Sequence, residues 1–338
     1  MRSNNDGFVR VRNYMAVRLA VLLVIAGCPP AVQSQVSDDV PPPRVDHHQH
    51  LLSPALAKVW KQPEPVLAER LIAQLDAAGI QRALVLSLAY AWGSPGLPAS
   101  DDEYANVRGE NDWTARQAAL YPTRLVAACS INPLRDYALR EIERCAADPG
   151  LRNGLKMQFA NSRVNLRDAE HVERLRGVFA AANQARMPLI VHVWTGDDQV
   201  ANPYDARDAR TFIEQVLPSA PDVVIQIAHL GGSGPRLDPG TKAAMIALAE
   251  AAANSHPAMR NVYFDMATNV VPRSSDADAE FMSARVRQIG AHRILYGSDM
   301  AIGGNLPAAE SWRAHREKLG LTRREFATIS GNIVPFLK

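Results

Sequence analysis

The chain has 338 residues, 47% of them apolar and 21% charged, with a formal net charge of +2. This is an ordinary globular composition, with room for one large domain or two ordinary ones. The near-neutral balance, without a basic stripe or aromatic-studded patch, excludes an obvious polyanion partner, so no nucleic acid is expected.

The N-terminus reads as an export signal. Arg10, Arg12 and Arg18 precede the apolar run Leu19–Gly27, which is too short to span a bilayer and has the charged-then-apolar order of a signal peptide. Met15 is an alternative start. Ile25-Ala26-Gly27-Cys28 also resembles a bacterial lipobox, with Pro29 out of pattern, so both a lipidated Cys28 and cleavage near Ser34 are open. Removing residues 1–27, with four arginines and one aspartate, turns the net charge to −1. The expected organisation is a signal peptide over 1–28, a Pro-, Ser- and Gln-rich tether over 29–43 and a single domain over 44–338. The expected location is the bacterial periplasm or a membrane-anchored lipoprotein, with the membrane reached only through Cys28.

From Arg44 onward, apolar runs of strand length alternate with amphipathic stretches of helix length. The strand-like runs are Val45–Leu51, Ala83–Ala89, Leu125–Ile131, Gly154–Phe159, Pro188–Val193, Val223–Leu230, Val262–Ala267 and Arg293–Met300. Most are continuously apolar, the pattern of parallel strands buried on both faces. The helix-like stretches are Glu64–Ala78, Asp101–Leu120, Tyr137–Ala147, Ala169–Ala185, Ala206–Leu217, Thr241–Ala253, Ala277–Ile289 and a C-terminal region. Eight strand–helix units, with no Gly-x-Gly-x-x-Gly turn, predict a closed (β/α)8 TIM barrel of the α/β class. Besides Cys28, the cysteines are Cys129 and Cys145, one in a predicted strand and one in a predicted helix; they read as two buried small hydrophobes rather than a disulfide framework.

In such a barrel the chemistry sits at the C-terminal strand ends. The first run, Val45-Asp46-His47-His48-Gln49-His50, is an Asp-x-His-x-His. Strand alternation would project Asp46, His48 and His50 together and turn His47 and Gln49 away. His48 and His50 can then share a metal ion, with Asp46 orienting one of them. The fourth run carries Lys156, the fifth ends at His192, the sixth at His229 before a Gly pair, and the eighth at Asp299. Singly, each residue also fits a core, rim or helix-capping role; together they fall in order at the functional ends of five strands. His171, His256, His292 and His315 fall in helices or connections and are assigned to solvent.

These motifs resemble those of the amidohydrolase superfamily, in particular the amidohydrolase-2 branch of lactone and amide hydrolases and aromatic-acid decarboxylases. The likeness spans Arg44 to Lys338 and includes Glu110-Asn111-Asp112-Trp113, Ile131-Asn132-Pro133 and the closing Ser330–Leu337. It implies that His48, His50, His192 and Asp299 ligate one divalent metal, most simply zinc. The ion would bring the pKa of its water toward about 7. Asp299 would take and return a proton, and His229 would polarise the carbonyl or donate a proton. In the binuclear alternative Lys156 is carboxylated and bridges two metals, with His192 and His229 on the second; otherwise Lys156 faces substrate. The loop Tyr90–Asp101, with Trp92, reads as a lid, and Arg163 would meet a substrate carboxylate. Trp194 is a further substrate-facing candidate, and Asp265 is read as structural.

The leading expectation is therefore a metal-dependent hydrolase of a small lactone, ester or amide. A non-oxidative decarboxylase of an aromatic or unsaturated acid is the enzymatic alternative, and a non-catalytic metal- or ligand-binding barrel the other. A homo-oligomer is left open.

Overall fold

Eight short parallel strands, hydrogen-bonded in chain order, make the centre of the molecule: β1 Val45–Gln49, β2 Arg82–Leu86, β3 Leu125–Ser130, β4 Leu155–Gln158, β5 Leu189–His192, β6 Ile225–Ile227, β7 Val262–Asp265 and β8 Ile294–Leu295. The computed structural model describes residues 40–97, 102–196, 204–235, 237–300 and 304–338. The signal-like segment, Cys28 and most of the proline-rich tether lie outside the described residues, as do positions 98–101 of the loop after β2. The described residues fall within one compact unit, Val36–Lys338. None of their helices is long and apolar enough to cross a membrane.

All seven consecutive pairings are parallel. The ring closes between β8 and β1, where the His47 amide donates to the Tyr296 carbonyl at 2.9 Å and the Asp299 amide to the His48 carbonyl at 2.8 Å. Gly297 makes this approach feasible, because a Cβ there would lie 2.7 Å from the Cβ of His48. The predicted (β/α)8 barrel is thus the fold. Its strands are apolar on both faces because one face packs into the barrel and the other against the helices, as in other all-parallel sheets.

The helices that matter for the site start and stop where local chemistry says they should. Helix α1 (Pro54–Val59), not foreseen from periodicity, begins at Ser53, whose hydroxyl accepts the Leu56 amide, with Pro at its first turn. Helix α2 (Ala68–Ala78) starts later than the pattern suggests, because Val66 pairs antiparallel with Leu52 in an isolated bridge. It ends at Gly79 in the left-handed region, φ +68°. Next come α3 (Glu103–Ala119), α4 (Ala138–Ala147) and α5 (Ala169–Gln184), the first and last capped by Asp102 and Asp168. Helix α6 (Ala206–Thr211) carries an Asp205–Asp208 capping box and continues as a π-helical turn, Phe212–Val216. Helices α7 (Pro239–Ala253) and α8 (Asp276–Ile289) follow, and the C-terminal helical region resolves into α9 (Ala308–Lys318) and α10 (Arg323–Gly331).

Two assignments made from the sequence are corrected. Cys129 on β3 and Cys145 on α4 form a disulfide across 16 residues. Their wide separation in sequence hides the juxtaposition, which arises because α4 folds back on the strand that precedes it. His315 is not at the surface. It is buried, with Nδ1 donating to the Ser311 carbonyl at 2.7 Å and Nε2 meeting the Met266 carbonyl at 2.9 Å. His292 is exposed, as expected, and His171 and His256 are half-buried.

A cross-link closing a loop of this length restricts the unfolded chain and is worth about 3 kcal/mol. Cys145→Ala is expected to lower the free energy of unfolding by about that amount in urea melts, with reductant destabilising the parent chain and leaving the variant unmoved. Equal stability of the two would show the cross-link to be energetically idle.

Candidate metal centre

The site lies at the C-terminal strand ends and is organised around one carboxylate. Asp265, the last residue of β7, is fully buried. Its Oδ2 accepts from His48 Nδ1 at 3.0 Å and Gln226 Nε2 at 2.7 Å. Its Oδ1 accepts the backbone amides of His229 at 2.9 Å and Ala267 at 3.1 Å. Burial alone would raise its pKa, yet the neighbouring His48 and His229 and these donors carry it far below the usual carboxylate range. Asp265 is therefore charged, and His48 has Nδ1 protonated.

The same logic fixes the other rings. A backbone carbonyl can only accept, so His50 Nδ1 carries the proton that reaches the Leu86 carbonyl at 2.7 Å, and His229 Nδ1 the one that reaches the Ala267 carbonyl at 2.7 Å. All three imidazoles thus turn an Nε2 lone pair toward the site, the arrangement metal-ligating histidines adopt. Burial drives their pKa values down, for His48 to about 3. His192 Nε2 is buried with no hydrogen-bond partner among the described residues, an orphaned acceptor or donor that needs an explanation.

Asp299 completes the group. Its Oδ1 lies 3.5 Å from His50 Nε2 and 3.9 Å from His48 Nε2, while Oδ2 accepts from Asn305 Nδ2 at 3.1 Å. His48, His229 and Asp299 each offer a ligand atom within 4.8 Å of the others. The His192 ring lies 4.5 Å from that of His229, and His229 lies 4.8 Å from His48, centroid to centroid. Imidazole nitrogens without protons, a carboxylate and an orphaned Nε2 fit a divalent cation. His229, Leu230, Thr268 and Asp299 all take left-handed backbone, φ +50° to +54°, just beyond β6, β7 and β8. Each such residue costs on the order of 1 kcal/mol, and together they aim the side chains inward.

Lys156 on β4 is buried, and its Nζ donates to His48 Nε2 at 3.2 Å. Burial pulls its pKa down against the pull of Asp265 and Asp299, and burial pushes that of Asp299 up against the pull of Lys156. The ammonium occupies the very lone pair that a cation would need. Ion binding at His48 therefore requires Lys156 to swing toward substrate or to lose its charge.

The remaining expectations divide. Asp46 does not orient an imidazole. It accepts from Gln49 Nε2 at 2.7 Å and from the Ser298 hydroxyl and amide at 2.7 and 3.1 Å, tying β1 to β8. The reason is an irregular register between Asp46 and Gln49, which breaks strict alternation and brings Gln49 back onto Asp46. His47 does turn away, to the Tyr296 carbonyl and the Val334 amide. Trp92 donates its indole N–H to Glu110 at 3.4 Å, and Trp194 to Thr241 at 3.1 Å with its ring 6.5 Å from His192. Arg163, in the loop after β4, is half-buried with φ +53°. Asp265 is the residue whose role the sequence understated; its place as the polar end of an apolar strand was the available signal.

The sequence matches the amidohydrolase family Amidohydro_2 over residues 45–329, so the chain belongs to that family. Similar folds include a manganese-bound 5-carboxyvanillate decarboxylase from Novosphingobium aromaticivorans, at TM-score 0.58 and 14% identity, covering 86% of this chain and 94% of that one. The 2,6-dihydroxybenzoate decarboxylase from Rhizobium has TM-score 0.59 and 16% identity, with 86% and 96% covered. A probable 2-pyrone-4,6-dicarboxylic acid hydrolase from Acinetobacter baumannii has TM-score 0.54 and 14% identity, with 84% and 95% covered. No curated protein matches the chain.

Asp265→Asn must point an amide N–H at one of four donors. Metal affinity is expected to fall 10- to 100-fold, as for other partners of ligating histidines, in a chelator competition assay on folded protein. Unchanged affinity would remove His48 from the ligand set.

Proposed function

We propose that the chain is a metal-dependent hydrolase of a small carbonyl compound, a lactone, ester or amide. The observation that carries this reading is the convergence of ring nitrogens without protons on the carboxylate of Asp299, with the orphaned Nε2 of His192 beside them. His48, His50, His192 and Asp299 would hold one ion. When bound, a divalent ion supplies Lewis acidity toward a carbonyl oxygen and lowers the pKa of water toward about 7. Zinc suits the donor set, and so does manganese, the metal in the 5-carboxyvanillate decarboxylase structure.

The protein's own groups divide the proton work. Asp299, tethered by Asn305 through one oxygen, keeps the other toward the imidazoles and is suited to take a proton from attacking water and return it to the leaving group. Neutral His229, with Nδ1 committed to Ala267, presents a lone pair and so accepts before it can donate. That makes it a second acceptor or, in a binuclear site with carboxylated Lys156, a ligand. Lys156 then faces substrate in the one-ion case.

A second reading, non-oxidative decarboxylation, is favoured by one observation: Lys156 is a buried cation with no carboxylate within ion-pair distance among the described residues, a natural seat for a substrate carboxylate. We further infer that the protein works in an oxidising compartment after export. The Cys129–Cys145 disulfide supports this, since such bonds persist outside the reducing cytosol, and the signal-like N-terminus agrees with it.

The test is metal content per chain on protein expressed without chelator, beside His192→Ala, followed by a panel of lactones, esters and aromatic acids with CO2 trapped. About one ion per chain, lost in the variant, with hydrolysis and no CO2, is the expected result. About two ions would assign Lys156 as a carboxylated bridge; CO2 release would move the reaction to decarboxylation; folded protein without metal affinity would overturn both.

A further inference from the structure

The substrate-facing residues read from the sequence, Trp92, Lys156, Arg163 and Trp194, belong to β2, β4 and β5 and the loops after them. A cavity of about 400 Å³ opens on the opposite side, among the loops that follow β6, β7 and β8. Two of its lining residues contact the reacting groups. Asn305, which holds the Asp299 carboxylate at 3.1 Å, lines it, and so does Thr268, whose hydroxyl lies 3.4 Å from His229 Nδ1. Its body is apolar, with Val270, Val271 and Leu306 on its walls, and no carboxylate lines it. Arg273 also lines it, is exposed, and makes no side-chain hydrogen bond or ion pair among the described residues. Another cavity, about 330 Å³, is lined by Leu217, Ile225, His256 and Val262 near the starts of β6 and β7, at the wrong end of the strands for chemistry.

An apolar space adjoining the proton-handling carboxylate and ending at an unpaired guanidinium has a definite complement. We propose that this cavity receives an apolar arm of the substrate that ends in a carboxylate, and that Arg273 pairs with it. The substrate class is then a half-ester or half-amide of a dicarboxylic acid, or a lactone that bears a remote carboxylate, held at one end by the metal centre and at the other by Arg273. The pairing is charge-assisted and bidentate, so it selects for the remote anion. The walls select for length, because burying each further methylene stabilises binding by about 0.8 kcal/mol until the space is full. This deepens the hydrolase reading and rests on it for the identity of the bond that breaks, but the pocket itself makes a prediction about binding alone.

The experiment is a calorimetric titration of the metal-loaded full chain with the diacids succinate, glutarate, adipate and suberate, each beside the monoacid of the same chain length (butanoate, pentanoate, hexanoate and octanoate). One diacid of the series is expected to bind roughly tenfold or more tightly than the monoacid of the same length, the usual worth of a charge-assisted hydrogen-bonded pair. Arg273→Gln, a surface change that leaves the fold intact, is expected to erase that preference while acetate binding stays as it was. Val270→Trp, which fills the cavity, is expected to weaken the longer diacids selectively. A diacid preference that survives Arg273→Gln, or no preference at all, overturns the proposal. The two readings fail separately. Loss of diacid preference in Arg273→Gln with no ester or lactone turned over leaves the pocket standing and sinks the hydrolase. Ester hydrolysis with diacid binding indifferent to Arg273 does the reverse.

Discussion

The interaction on which the site depends is the buried charge of Asp265. A carboxylate out of water is costly unless it is fully hydrogen-bonded, and this one is satisfied by four donors drawn from three strands or their extensions. By accepting from His48 it sets a tautomer, and by accepting the His229 amide it holds the residue after β6 in left-handed backbone. Gln226 adds a further link, donating both to Asp265 and to the His47 carbonyl, so β1, β6 and β7 share one polar knot. The Nε2 atoms of His48, His50 and His229 carry lone pairs rather than protons because the Nδ1 protons are spent elsewhere, although Lys156 donates to that of His48.

A second buried carboxylate does a parallel job at the seam of the barrel. Asp46 is held at a pKa near 6 by burial, offset by its donors from Gln49 and Ser298. It pins the two strands whose contact closes the ring, next to the place where Gly297 lets their backbones approach. The division of labour is physical. One acid orients His48; the other ties β1 to the segment after β8 that leads to Asp299. Family membership and fold leave the reaction open, since the same barrel hosts hydrolases and decarboxylases. The proton positions on Asp299, His229 and Lys156, with the adjoining cavity, are the grounds on which hydrolysis is proposed.

Much of this was legible beforehand. Continuous apolar runs announced parallel strands buried on both faces, and their polar last residues announced the site, because the eight strands must all end on one rim. His48, His50, His192, His229 and Asp299 were singled out that way, and the structure brings them near one another. The errors came from interactions that no local pattern encodes. Asp46 was assigned to a histidine because strict alternation was assumed through a register irregularity. Cys129 and Cys145 were taken as separate because pairing depends on how α4 packs on β3. His315 was taken as solvated because a helix face is read by hydrophobicity, and a histidine bonded at both nitrogens is buried without being apolar.

By itself, then, the sequence determined the strand–helix alternation, the barrel it closes into and the identities of the groups at the rim. These follow from hydrophobic periodicity and from the requirement that strand ends share one face. Only the tertiary structure decided which acid partners which histidine, which ring nitrogens keep their lone pairs, that two distant cysteines are bonded, and that a cavity lined by Arg273 reaches Asn305, the partner of Asp299. Those are properties of approach between segments far apart in the chain, fixed by backbone carbonyls, left-handed residues and a missing Cβ at Gly297, none of which a residue's own neighbours in sequence can specify.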